Sequence, residues 1–221
     1  MTRTPLSPTE RSTVGRHHDR AAADRAALDA VLDAGLICHL GFVLDGAPVV
    51  LPTGYGHQDN TLYLHGSSGA RSLRIGAGGA PVCVTVTMLD GIVYARSVFS
   101  HSMNYRSAVI HGQARLVADE PAKLHALRVI TDHLAPGSWD YAREPTRKEL
   151  AATTVLALDL TESSVKVRTG GPGDEDTDLA TGSVWAGVLP VRQVWGELVP
   201  AEYGDPELAA PPHVAKRAQP C

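Results

Sequence analysis

The stretch Val49–Leu73, VVLPTGYGHQDNTLYLHGSSGARSL, decides the fold. Val49, Val50 and Leu51 are β-formers, and Pro52 is expected to break the ladder. His57-Gln58-Asp59-Asn60 is turn chemistry, and Thr61-Leu62-Tyr63-Leu64 returns as a strand. His65-Gly66-Ser67-Ser68-Gly69-Ala70-Arg71-Ser72 then reads as a small-residue loop opening into a helix. Small residues let backbone N–H groups approach a ligand closely. Serine hydroxyls, Arg71 and a helix N-terminus are groups that hold phosphate. The loop is neither a Walker loop nor a GxGxxG turn, so a plain polar loop capping a helix explains it equally well.

Outward from this stretch the same hairpin rhythm continues. On the N-terminal side, Leu36–Leu44 (LICHLGFVL) is a strong strand, and Asp45-Gly46 is a hairpin turn. Before it, Asp19 is placed to cap a helix running to Ala34, with Ala23, Ala27, Leu28, Val31 and Leu32 on one side and Gly35 ending it. Residues 1–18, with Pro5 and Pro8, read as an irregular arm. On the C-terminal side, Pro81–Leu89 alternates as a strand, Asp90-Gly91 turns, and Ile92–Ser100 is extended. Asn104–Val117 is a long strand, in which Gly112 marks a bulge or a bend. Asp119–Leu134 is a capped helix with Pro121 in its first turn, and Thr146–Ala152 is a shorter one. Thr154–Leu160 and Ser164–Thr169 are strands. Gly170–Asp178 is an acidic loop expected to be mobile, and residues 200–221 an irregular tail. Residues 19–199 then form one domain. About seven short strands with peripheral helices, and no βαβ rhythm, predict a mostly β protein built as an antiparallel barrel.

Composition narrows the function. The chain has 221 residues, 43% of them hydrophobic, and a net charge of −4. That charge argues against a general nucleic-acid binder. No apolar run approaches the ~20 residues of a membrane-spanning helix. The first twenty residues lack the apolar core of a secretory signal, so a cytoplasmic protein is expected. Cys38, Cys83 and Cys221 are odd in number and far apart, which suits buried thiols rather than disulfides. The ten histidines form no HExxH or other metal-ligand spacing, so no metal site is expected. No GxSxG elbow and no carboxylate pair points to a hydrolase.

Three clusters carry candidate chemistry. The first is the His65–Ser72 loop. The second is Arg96–Ser107 (RSVFSHSMNYRS), polar where a buried strand would be apolar, with Ser102, Asn104, Tyr105, Arg106 and Ser107. Arg106 suits a phosphate, and Ser and Asn suit the edge of a planar heterocycle. The third is Lys166 and Arg168 on one strand face, followed by Trp185; a solvated basic face and a packed tryptophan are the plain alternatives.

Taken together and in order, LICHLGF, the opening stretch, SVFSHSMNYRSAVIHGQARLV, KVRTG and VWAGVLPV resemble the flavin-nucleotide-binding branch of the pyridoxamine 5′-phosphate oxidase-like superfamily, which includes the nitroimidazole-resistance (Nim) type proteins. The resemblance spans roughly residues 14–195. It implies a split β-barrel, homodimeric, with FMN at the subunit interface. It implies that the Pro52-Thr53 backbone lines the isoalloxazine. His65, Gly66, Ser67, Arg71 and Ser72 would then surround the phosphate and ribityl chain. Arg106 and Ser107 would stand where the oxidases carry an Arg-Gln pair, with Ser102 and Asn104 beside them. Lys166, Arg168 and Trp185 would reach the site from the partner subunit. The chain departs from the oxidase pattern in two places. Ser67-Ser68-Gly69 replaces a basic S-R-K run, and the Arg-x-His ending is absent, so pyridoxamine phosphate is not the expected substrate. The expectation is an FMN-dependent oxidoreductase acting on a small aromatic or nitro-type acceptor. His65 or Tyr105 would be the proton donor and NADH or NADPH the electron source. The alternatives are a flavin carrier or sensor without turnover, and a haem-binding split barrel.

Overall fold

In the computed structural model, residues 6, 9–22, 24–180, 183–203, 205 and 207–218 are described. Pro5, Pro8, Ala23 and Cys221 lie outside the described residues. Alternating apolar residues build ten strands: Ala21–Ala22 (β1), Ile37–Leu44 (β2), Ala47–Gln58 (β3), Thr61–Ser67 (β4), Pro81–Tyr94 (β5), Ser102–Gln113 (β6), Arg115–Leu116 (β7), Thr153–Asp159 (β8), Ser163–Arg168 (β9) and Gly187–Pro190 (β10). Every pairing is antiparallel. Their order is β1-β9-β6-β5-β2-β3-β4-β8-β7, with β10 added to β5.

Two long stretches turn this order into a split barrel. β3 pairs with β2 from Ala47 to Gly54 and with β4 from Tyr55 to Gln58, so it passes from a first sheet into a second. β6 lies between β5 and β9 in the first sheet, and the chain then bends into β7, which joins β8 in the second. In β2, Cys38, Leu40 and Phe42 point inward to meet Leu62 and Leu64 of β4, Val84 and Val86 of β5, Ile110 of β6 and Leu156 and Leu158 of β8. Each such side chain contributes about 1.5–3 kcal/mol by leaving water. Burial pushes the Cys38 thiol up to about 12, so it is inert. Cys83 is only half-buried, and both thiols are free.

Helices close the open ends. Arg25–Ala34 (α1) buries Leu28, Val31 and Leu32 against the barrel. Its N-cap is Asp24, whose side chain accepts from the Ala27 N–H at 2.7 Å, and not Asp19 as expected. The chain around Asp19 is drawn instead into a single 3-10 turn, His18–Arg20, because β1 must pair with β9. Arg71–Ala77 (α2) follows β4. Glu120–Leu134 (α3), capped by Asp119 as expected, lies across β3 and β4. The contact is so close that a Cβ on Gly56 would stand 2.6 Å from the Ile130 Cα. Short helices Ser138–Tyr141 (α4) and Arg147–Ala152 (α5) follow.

Several expectations are corrected. Pro52 does not break β3; it sits where the outer edge of β3 has no partner among the described residues, and an edge tolerates a missing N–H. Asp90-Gly91 is not a turn. β5 runs through it with a bulge, where the register shifts between Leu89 and Gly91. Gly112 is in register opposite Val82, and a Cβ there would stand 2.8 Å from Leu158 Cδ1, so a larger residue would require that leucine to shift. The bend comes just after it, between β6 and β7. The acidic loop 170–178 is strapped down: Asp174 accepts from the Arg96 backbone N–H at 2.8 Å and from its guanidinium. Asn104 Nδ2 donates to the Gly170 carbonyl at 3.0 Å, and Asp176–Ala180 forms a helical turn (α6). The tail carries a helix, Pro212–Ala218 (α7). There Arg217 donates to the Leu134 carbonyl and stacks 3.9 Å over the Trp195 ring. No helix among the described residues is long and apolar enough to cross a membrane.

Candidate functional site

Strand register decides which candidate residues meet. Directly opposed residues in neighbouring strands share a face, and successive residues alternate. On the outer face of the first sheet, Pro52 lies beside His39 and Thr85. The next row is Thr87, Ser107 and Lys166, and the next Leu89, Tyr105 and Arg168. Five expected site residues, Pro52, Tyr105, Ser107, Lys166 and Arg168, therefore share one surface. Exposed apolar residues flank it: Ile37 is 57% and Val50 62% exposed.

Arg106 does not join them. It sits between Tyr105 and Ser107, so it points to the other side of the strand. There it forms a two-pronged pair with Asp90, at 2.9 and 2.8 Å, and this pairing raises its pKa. The adjacent Arg106-Ser107 pair is thus split by the pleat, and Arg106 is already neutralised. Asp90 is the residue the sequence reading missed. The unbroken β pattern on both sides of Asp90-Gly91 was the signal for a bulge that aims its carboxylate inward.

Arg168 is engaged as well. Its guanidinium donates to Asn104 Oδ1 and, at 3.1 Å, to the Gly171 carbonyl, so Asn104 and Arg168 together hold the acidic loop. Lys166 forms no ion pair among the described residues. Ser102 begins β6 opposite Val93. Trp185 is 69% exposed and leans on Tyr94, with 6.1 Å between ring centroids. Thr53 Oγ1 bonds locally, to the Gly54 carbonyl at 3.3 Å.

The β4–α2 loop is a separate place. Arg71 reaches the β2–β3 turn and pairs with Asp45 at 2.6 Å. Ser67 Oγ accepts from the Gly69 N–H at 3.2 Å, and Ser72 follows in the first turn of α2. Gly66 packs against Leu73. His65 alternates with the inward Leu64, so it faces out of the second sheet, under α3. It opens into a cavity of about 430 Å³ whose walls include Leu127, Thr131, Trp139, Glu149 and Thr153. Its Nδ1 is buried with no hydrogen-bond partner, and burial lowers its pKa. None of the residues on the first-sheet face lines this cavity. His65 and Tyr105, the two candidate proton donors, therefore lie on different sheets of the same chain.

The comparisons with known proteins fit this geometry. Residues 24–167 match the family model described as pyridoxamine 5′-phosphate oxidase. The flavocytochrome Anf3 of Azotobacter vinelandii is 37% identical, with 96% of this chain and 99% of that one covered and a TM-score of 0.90. An FAD- and haem-binding protein of Mycobacterium smegmatis is 40% identical over 90% of this chain and 97% of its own, with a TM-score of 0.87. A structure from Bacteroides thetaiotaomicron described as a 5-nitroimidazole antibiotic resistance protein is more distant. It is 23% identical, covers 66% of this chain and 86% of its own, and has a TM-score of 0.53. No curated protein sequence matches the chain.

Proposed function

Since the chain belongs to the pyridoxamine 5′-phosphate oxidase-like split-barrel family, we propose that it is a flavin- and haem-binding electron-transfer protein. The observation that carries the flavin half is the single outer face bearing Tyr105, Ser107 and Lys166 between apolar borders. It offers hydroxyl groups and a cation, Lys166, that forms no ion pair among the described residues, with the exposed apolar Ile37 and Val50 at its borders, which suits a planar heterocycle with an anionic tail. FAD is favoured over FMN, because one of the two relatives at 37–40% identity is described as binding FAD and haem and the other as a flavocytochrome. A nitro-type acceptor has less support, since the nitroimidazole-resistance structure is similar in fold alone.

The flavin would supply hydride and single-electron transfer. The chain's own residues do the rest. Ser107 and Tyr105 orient the ring edge by hydrogen bonds. Lys166 supplies positive charge beside an anionic group. Tyr105 takes the proton-donor role on this face, because His65 is elsewhere. A second copy of the chain would cover Ile37 and Val50 and keep water from the ring. NADH or NADPH is the electron source to test first.

His65 favours the haem half. A buried imidazole whose pKa is lowered is neutral at pH 7 and keeps a lone pair for iron. Leu127 and Trp139 give its cavity apolar walls. An absorbance spectrum of the purified protein tests both halves. Flavin bands and a Soret band are expected, with His65→Ala losing the Soret band and keeping the flavin. A protein that takes up neither cofactor overturns the proposal, and a Soret band unchanged in His65→Ala removes His65 as the ligand.

A further inference from the structure

We propose that Arg16, His17, Arg20 and Lys166 form a seat for the diphosphate of a flavin dinucleotide, so that the segment before α1 selects FAD over FMN. This rests on the flavin reading above and adds to it the group that tells the two flavins apart.

The placement comes from strand register. Ala21 of β1 is opposite Lys166 of β9, and Lys166 is opposite Ser107 of β6. The N-terminal segment therefore borders the same face that carries Tyr105 and Ser107. Immediately before β1, the 3-10 turn His18–Arg20 is closed by the Arg20 N–H donating to the His17 carbonyl at 3.0 Å. This turn lies against β9, the strand that carries Lys166, and Arg16 and His17 lead directly into it.

The charges there are not balanced. Among the described residues, Asp19 is the one carboxylate within ion-pair range of the group, and only at 4.0 Å from both His17 Nδ1 and Arg20 Nε. Neither Arg16 nor Lys166 forms an ion pair among the described residues. The imidazole of His17 registers this field: Arg20 is the largest cause of its lowered pKa, followed by burial and Arg16, with Asp19 opposing them and Lys166 adding the smallest lowering effect. His17 also holds φ 58°, ψ 60°, a left-handed conformation unusual for a residue with a side chain. Such backbone is retained where it positions something. In a chain of net charge −4, a knot of cations held in a strained turn is suited to an anion with several oxygens.

FMN carries one phosphate. FAD adds a second phosphate and an adenosine, and so needs further cations. The family model starts at residue 24, after this segment, whereas the match to the flavocytochrome covers 96% of the chain and so leaves out fewer residues than precede Arg16.

The test uses the full-length protein and three probes: FAD, FMN and ADP, which has the diphosphate but no isoalloxazine. In titration calorimetry, the double variant Arg16→Glu/Arg20→Glu is expected to lose at least about tenfold in FAD and ADP affinity, with FMN affinity within about twofold of the parent. Lys166→Gln, which adds no repulsion, should weaken ADP in the same direction. The pKa of His17, followed by NMR, should rise when ADP binds. Unchanged FAD affinity in both variants overturns the proposal, as does an equal loss for FMN and FAD. A parent protein that binds ADP but neither flavin would keep the anion seat and sink the flavin reading instead; one that binds FAD and ignores all three substitutions would do the reverse.

Discussion

At Gly56 a strand and a helix touch backbone to backbone, with room for a hydrogen and nothing larger. Gly56→Ala would drive a methyl group into the Ile130 main chain. A loss of about 1–3 kcal/mol is expected, with α3 displaced from β3, read from urea unfolding. Near it, His133 Nε2 donates to the Gly35 carbonyl at 2.7 Å, and its ring lies 4.7 Å from that of Tyr55. Burial is the main cause of its lowered pKa, with His57 adding to it against the Gly35 hydrogen bond and Asp33. Below about pH 6.5 the unfolded chain binds the proton that folded His133 refuses. Stability is therefore full above that pH and falls as pH drops toward the lowered folded value. His133→Gln keeps a donor and removes the titration, so its urea midpoint should change less between pH 7 and pH 5 than the parent's; parallel profiles would refute this. At this scale the sequence told residue types well and their directions poorly. Arg106 and Ser107 were read as one pair because they are adjacent. The pleat of β6 turns them to opposite faces, and the pairing with Asp90 shows what Arg106 meets there.

Elements defined by local chemistry were legible in the sequence. Asp45-Gly46 and Asp119 each act within a few residues and turn or cap where expected, and the short helix expected from Thr146 starts one residue later, with Thr146 as its cap. Thr146 and Glu149 form a reciprocal cap at the start of α5. Thr146→Ala should cost about 1 kcal/mol and loosen the Glu149 wall of the His65 cavity, seen as faster amide exchange in α5. Elements set by distant partners were not legible. α1 starts at Asp24 rather than Asp19 because β9 claims Ala21 and Ala22. The acidic loop looks like a mobile linker by composition, yet Asp174 fastens it to Arg96. The Arg96 backbone N–H is the first cause of the lowered Asp174 pKa, followed, against burial, by its guanidinium. Asp174→Asn weakens the fastening, and limited proteolysis should then cut within residues 170–180 well before it does in the parent. Equal cutting rates would show that Asn104 and Arg168 hold the loop without it.

For the whole molecule, alternation in β2, β5 and β6 was enough to read an antiparallel barrel, because one face of each strand must be buried. It was not enough to read the site. The candidate residues divide between the outer faces of two sheets, with Asn104 and Arg106 turned to the other side of β6, and the passage of β3 and β6–β7 from one sheet to the other separates the two outer groups. The second copy of the chain proposed above would cover the exposed Ile37 and Val50 on the outer face of the first sheet. Val50→Glu should yield a monomer by gel filtration and lower flavin affinity with it. A dimer that survives the change would place the subunit contact elsewhere. The pairing of β1 with β9 also sets a schedule. A ribosome delivers Ala21 early and Lys166 only after most of the chain has emerged, so the amino-terminal strand waits unpaired while the barrel assembles behind it. The seat for the anion is thus among the last features to form during synthesis. A chain stopped short of β9 would still contain Arg16, His17 and Arg20, with nothing to hold them in place.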